Sequence, residues 1–275
     1  MIARALALAG LLLSTPAAAR EMTASILDLS SHNEIGIDAR LRSTHGIALI
    51  IHRATMGLDV GNFSDSDYRF DDQIKQAAAV GLRVGAYHLA TRTGTGARQA
   101  DDFLKLVKTT CDQLPSASRR IVLALDWEPS NGDPDNYMDV NEVAGFLTRL
   151  MARTGRTALI YSNENFFHDR KGEMMSSPHV WATLARQHLW IANYRATVDH
   201  RGRPTGASPW PNVEGLPWST WTFWQYTDGK RSASPRMPSG RIDGVSVDRN
   251  AFNGGARQLD RFLDGIAWDC VYRSR

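Results

Sequence analysis

The feature that most restricts the fold is a repeated alternation of short apolar runs with helical stretches. Residues 25–29, 47–51, 84–87, 121–125, 158–161, 189–192, 222–226 and 245–247 read as strands. Helical patterns lie between the earlier ones, near 71–80, 97–108 and 140–154, and Gly81 and Gly155 stand where helices would stop. Strands that alternate with helices build parallel βαβ units. About eight such strands predict a closed α/β barrel rather than an open sheet. The later strands lack clear helices between them, so the expected architecture is a modified TIM-type barrel.

A chain of 275 residues is long enough for one such barrel. The net charge of +3 carries no Lys/Arg block and does not indicate nucleic acid. The first 19 residues read as a signal peptide. Arg4 supplies the positive region, residues 5–13 the apolar segment, and Ala17, Ala18 and Ala19 the small-residue cleavage site. That predicts a secreted or periplasmic protein starting at Arg20, with residues 20–275 as one barrel domain and no stable membrane insertion after cleavage. Export permits a disulfide between Cys111 and Cys270. Two free buried thiols are the alternative, because sequence cannot show whether the two approach.

In a barrel the reacting groups gather at the C-terminal ends of the strands. The fourth run ends in Asp126-Trp127-Glu128. Side chains alternate across a strand, so Asp126 and Glu128 share a face and Trp127 points the other way, toward core. A pair of carboxylates facing one space is the equipment of glycoside hydrolysis. An acidic strand terminus facing water is the plainer alternative. Other strand ends add Asp28, Tyr87, His88, Tyr161, Tyr194 and Gln225, and Asp248 follows the last strand. Carboxylates beside aromatic rings suit a sugar substrate. Tyr87 and His88 would bind sugar or simply cap their strand. Trp210, Trp218 and Trp221, in or beside the long 195–220 loop, would stack on sugars or pack that loop onto the body. The acidic stretch 59–72 lacks EF-hand spacing and reads as a loop and helix start. Two cysteines and no H-E-x-x-H predict no metal site, and no dinucleotide fingerprint or G-x-S-x-G elbow predicts a cofactor or serine nucleophile.

Segments in order along the chain resemble the glycoside hydrolase family 25 muramidases, which are barrel lysozymes. They include Ile26-Leu27-Asp28-Leu29-Ser30-Ser31, Ala54-Thr55-Met56-Gly57, Gly85-Ala86-Tyr87-His88 and Leu125-Asp126-Trp127-Glu128. Leu189-Trp190-Ile191-Ala192-Asn193-Tyr194, Phe223-Trp224-Gln225-Tyr226 and Val247-Asp248-Arg249-Asn250 continue the series. The resemblance implies five β/α units followed by three strands with little helix. It implies hydrolysis of the β-1,4 bond between N-acetylmuramic acid and N-acetylglucosamine in peptidoglycan glycan strands. A monomer without a cofactor is expected. It matches Glu128 to the general acid and Asp126 to the group that positions the substrate's acetamido group or stabilises the cation. Asp28 and Asp248 match the flanking carboxylates. Met56 departs from the family, which often carries Glu there. A barrel that binds peptidoglycan or another glycan without cutting it, and a glycosidase of another N-acetylated polysaccharide, are the competing readings.

Overall fold

Eight strands close into a barrel in the computed structural model, which describes residues 21–58, 67–130, 132–198, 203–205, 210–229 and 241–273. The signal-peptide segment lies outside the described residues, as do residues 59–66 of the acidic stretch and parts of the two long late loops. The chain runs through β1 (Thr23–Leu29), α1 (Ala39–Ser43), β2 (Leu49–Met56), α2 (Phe70–Ala79), β3 (Arg83–Leu89), α3 (Gly96–Asp112), β4 (Ile121–Asp126) and α4 (Val140–Thr154). It continues with β5 (Leu159–Asn163), three short helices α5 (Glu164–Asp169), α6 (Lys171–Ser176) and α7 (Pro178–Ala185), then β6 (His188–Ala192) and β7 (Phe223–Thr227). A small ribbon of β8 (Arg241–Ile242) and β9 (Val245–Ser246) precedes β10 (Asp248–Phe252) and α8 (Ala256–Ile266). Five β/α units are thus followed by three barrel strands, β6, β7 and β10, as the resemblance implied.

The barrel order is β1-β10-β7-β6-β5-β4-β3-β2. β1 to β7 run parallel in their pairings, whereas β10 is antiparallel to both β1 and β7. The sequence reading put the last strand at 245–247 with Asp248 beyond its end. Val245 and Ser246 instead belong to the ribbon, and the closing strand begins at Asp248. Because β10 runs backwards, its first residue lies at the end of the barrel where the parallel strands finish. Asp248 pairs in register with Asp28, so it reaches the same mouth by the opposite route.

β4 shows why the strands read as unbroken apolar runs. Every residue of Ile-Val-Leu-Ala-Leu-Asp is buried. Ile121, Leu123 and Leu125 meet the surrounding helices, while Val122 and Ala124 fill the interior with Ile26, Leu49, Leu159 and Phe223. A parallel barrel strand is covered on both faces, so alternation disappears. Helix α8, which the sequence reading did not contain, adds Leu259, Leu263 and Ile266 to the interior cluster and covers the end opposite the mouth.

The helix starts follow capping chemistry. Thr95 accepts from Arg98 at α3, Asp139 from Asn141 at α4 and Asn163 from Phe166 at α5. Gly155 ends α4 in the left-handed conformation, φ 69°. Gly96 opens α3 against the first turn of α4, where a Cβ would collide with the Glu142 carbonyl. Cys111 and Cys270 form a disulfide with Cα atoms 6.3 Å apart, joining the end of α3 to the segment after α8.

The tryptophans of the late loop serve packing. Trp218 is 8 % exposed, donates its indole N–H to the Gln187 carbonyl (3.0 Å), and meets Phe167 edge-on at 5.5 Å. Trp221 is buried, and half-buried Trp210 stacks on it at 5.7 Å. Substituting Trp218→Ala is expected to cost about 3–5 kcal/mol of stability, the usual loss for a buried large aromatic. Denaturant unfolding measures that loss, and an unchanged KM on long glycans separates packing from sugar stacking.

Candidate active site

The mouth of the barrel holds a cleft of about 230 Å³ in which the carboxylates of Asp28, Asp126, Glu128 and Asp248 converge, with Tyr87, Tyr161, Tyr194 and Gln225 around them. Three chain segments bring these carboxylates together because β1, β4 and β10 each end or begin at this rim. Trp127 points away between Asp126 and Glu128, fully buried, with its indole N–H on the Met138 carbonyl (2.8 Å) and Phe166 and Phe167 against its ring. It anchors the turn that follows β4 and leaves both carboxylates on the cleft side.

His88 is the exception among the residues picked out from sequence. β3 alternates, so placing Tyr87 inside puts His88 outside. His88 is fully buried beneath α3 and α4, stacked on Phe146 at 5.2 Å, with its ring nitrogens bonded to Gln99 (2.7 Å) and Thr55 (2.7 Å). Burial pushes it down to about 4, so it stays a neutral core residue. It does not line the cleft.

At the cleft floor a hydrogen-bond chain fixes Asp28. Tyr161 and Tyr194 donate their hydroxyls to Oε1 of Gln225, which turns the Gln225 amide N–H₂ onto both oxygens of Asp28, 3.1 Å each. Asn250 donates to Asp28 Oδ2 (2.7 Å) and accepts from the Trp190 indole (2.7 Å). Burial raises Asp28 to about 6, and these donors hold it from rising further. Sequence reasoning had Tyr161, Tyr194 and Gln225 but missed Asn250 and Trp190. Strand alternation in phase with Tyr194 would have found Trp190, whereas Asn250 lies on β10, a strand the sequence reading did not contain.

Asp126 is 8 % exposed, and its Oδ1 is buried with no protein hydrogen-bond partner. Burial, then the nearby Glu128 and Asp28 carboxylates, push its pKa well above the usual range, and Arg53 opposes them. Arg53 is itself held by Asp67 and by the Ser31 hydroxyl (3.0 Å). Glu128 is raised to about 7, chiefly by burial. A hydrogen bond from Asn163 pulls it back and the Asp28 charge pushes it up. Asn163 was also missed. Its Oδ1 is taken by the Phe166 N–H (2.9 Å) as the α5 cap, which leaves its amide N–H₂ for Glu128. The result is one carboxyl that keeps its proton near neutrality beside another with an unsatisfied oxygen. A proton donor and a second carboxyl with an open acceptor oxygen in one cleft are what acetal cleavage needs. Met56, at the end of β2, is half-buried and is not among the residues lining the cleft.

No helix among the described residues is long and apolar enough to cross a membrane. Comparison with known proteins agrees with the geometry. The chain is 28 % identical to Lysozyme M1 of Streptomyces globisporus over 238 residues, 83 % of this chain and 68 % of that protein. It is also 28 % identical to the uncharacterized protein YegX of Escherichia coli O6:H1 over 188 residues, 68 % of this chain, and spans about half that relative's length (54 %). The bacterial lysozyme from Streptomyces coelicolor superposes with a TM-score of 0.60 at 25 % identity, covering 85 % of this chain and 93 % of that one. The muramidase from Acremonium alcalophilum shares the fold, with a TM-score of 0.60 at 24 % identity over 87 % and 98 % of the two chains. The family model for glycosyl hydrolases family 25 matches residues 27–234, most of this sequence, and the chain belongs to that family.

Proposed function

We propose that this chain is an exported muramidase that hydrolyses the β-1,4 bond between N-acetylmuramic acid and N-acetylglucosamine in peptidoglycan. The observation that carries the reading is that Glu128, which holds its proton up to about pH 7, shares one cleft with Asp126, whose buried Oδ1 lacks a protein donor. Glu128 gives its proton to the leaving oxygen. Asp126 accepts from the acetamido N–H of the sugar being cut, which turns the acetamido oxygen toward the anomeric carbon. Tyr87, Tyr161 and Tyr194 keep their hydroxyls neutral, since burial and the surrounding carboxylates raise all three. They therefore serve as hydrogen-bonding walls. Asp28 and Asp248 hold the floor, and the Asp28 charge helps keep Glu128 protonated.

Mass analysis of products from purified peptidoglycan tests the bond. New reducing-end muramic acid is expected, whereas wall binding without new reducing ends would favour a glycan-binding barrel. Attack by the acetamido oxygen followed by water retains the anomeric configuration, and NMR of the first-formed product checks this. An inverted product rules out the assisted route. Export is checked by sequencing the N-terminus of protein recovered outside the cytoplasm, expected at Arg20. Recovery only inside the cell with Met1 retained would remove the wall from the reading.

A further inference from the structure

The cleft is crowded with acid. Asp28, Asp126, Glu128, Asp228 and Asp248 line it, and none of the described residues lining it is a lysine or an arginine. Donation by Glu128 and acceptance by Asp126 require the two neighbours to take opposite protonation states. Two carboxyls in one space share a proton unless something outside the pair separates them. Burial does not separate them, because it raises both.

A cation stands behind the cleft wall on the Asp126 side. Arg53 lies on β2 two residues beyond Ile51, which belongs to the barrel interior. Side chains two apart share a face, so Arg53 turns inward at the mouth. It pairs in register with Tyr87 of β3, and Tyr87 pairs with Ala124 of β4. Ala124 is interior, and Asp126 lies two residues beyond it on the same inner face. Three adjacent strands thus carry Arg53, Tyr87 and Asp126 around the inside of the barrel. Asp126 is also met by Asp28 from β1, Glu128 beyond β4, Tyr161 from β5 and Asp248 from β10. Each of these is acidic or neutral, so none replaces Arg53.

The guanidinium is fixed where it stands. Its Nε donates to Asp67 Oδ2 (3.2 Å), and Nη2 lies 3.1 Å from the same oxygen and donates to the Ser31 hydroxyl (3.0 Å). The Asp67 side chain is fully enclosed and is held in turn by the backbone N–H groups of Ser31 (2.7 Å) and Arg69 (3.1 Å). Arg53 so anchored gives Asp126 a nearby positive charge without occupying Oδ1, which has no protein partner. The oxygen that the substrate needs stays open.

We propose that Arg53, locked by Asp67 and Ser31 behind the cleft wall, is a positioning residue that makes Asp126 the ionised member of the carboxyl pair and leaves the proton on Glu128. The inference rests on the muramidase reading and supplies the origin of its acid–base asymmetry. Among the groups around Asp126, burial and the other carboxylates oppose ionisation while Arg53 favours it. Glu128 answers instead to burial, Asn163 and Asp28.

The test follows Asp126 with and without substrate. Arg53→Gln removes the cation, and Arg53→Gln combined with Asp67→Asn removes both charges, so that no enclosed carboxylate is left unpaired if the single variant fails to fold. Either is expected to move the acid limb of kcat/KM on peptidoglycan upward by about one pH unit, a tenfold loss of rate on that limb, as suits one lost charge nearby. The alkaline limb set by Glu128 should stay near pH 7. Arg53→Lys should keep the acid limb close to wild type. NMR titration of the Asp126 carboxyl carbon in substrate-free protein should show the same upward move. An unmoved Asp126 titration in either folded variant overturns the proposal, and so does a rate loss of equal size at every pH, the mark of a purely structural role. A moved titration in protein whose wild type cuts no peptidoglycan supports the charge assignment and removes the muramidase reading.

Discussion

Glu128→Gln lowers turnover of peptidoglycan by at least about a hundredfold, the lower range of a general acid's contribution, and at the same time makes the protein more heat-resistant at neutral pH. Glutamine keeps the shape and the hydrogen bond with Asn163 but has no proton to give. The stability gain follows from the raised pKa of about 7 in the fold against an ordinary value of 4.5. Below about pH 4.5 both folded and unfolded chains hold the proton, and Glu128 contributes nothing to the pH dependence. Between about 4.5 and 7 the unfolded chain releases it while the fold retains it, so rising pH favours unfolding. Above about 7 that cost is complete. The Tm of Glu128→Gln should therefore exceed wild type at pH 8 and converge with it near pH 4. The same ionisation sets the alkaline limb of kcat/KM, which should fall as pH rises through about 7. A folded Glu128→Gln protein with near-normal turnover would falsify the acid assignment, and equal Tm values at pH 8 would refute the buried-proton account.

The second large effect concerns the far end of the barrel. Replacing Cys111 and Cys270 together by serine is expected to cost about 2–5 kcal/mol of stability. The bridge spans 159 residues of sequence, so its loss frees a long stretch of the unfolded chain. It also holds Cys270, a non-glycine residue at φ 63°, in the left-handed region. The segment it pins carries Trp268, whose backbone pairs in both directions with Ile121 at the start of β4 (2.9 Å). Denaturant unfolding of the double variant should show the loss, with kcat at low temperature close to wild type because the bridge lies away from the mouth. A large fall in kcat without a change in stability would show that the C-terminal tie reaches the active site.

Much of this protein is dictated locally and can be read from the chain. Strand runs buried on both faces and separated by helical patterns leave little choice but a parallel barrel, and the period of two puts Asp126 and Glu128 on one side of Trp127. Asp28, Tyr87, Tyr161 and Gln225 follow from the same alternation at neighbouring strand ends. Other features depend on which elements meet across long sequence separations, and only the tertiary structure decides them. Tyr87 and His88 stand side by side in sequence, and the direction of β3 in the closed barrel sends one to the cleft and the other under α3 and α4. Asp248 reaches the mouth because β10 inserts antiparallel between β1 and β7, a pairing no local pattern encodes. Asn163 looks like a helix cap until the fold brings its free amide to Glu128, and Arg195 looks like a loop cation until it meets Glu164. The proton on Glu128 is likewise a tertiary property, because local sequence specifies a carboxyl group, and burial among other carboxylates determines the pH at which it ionises.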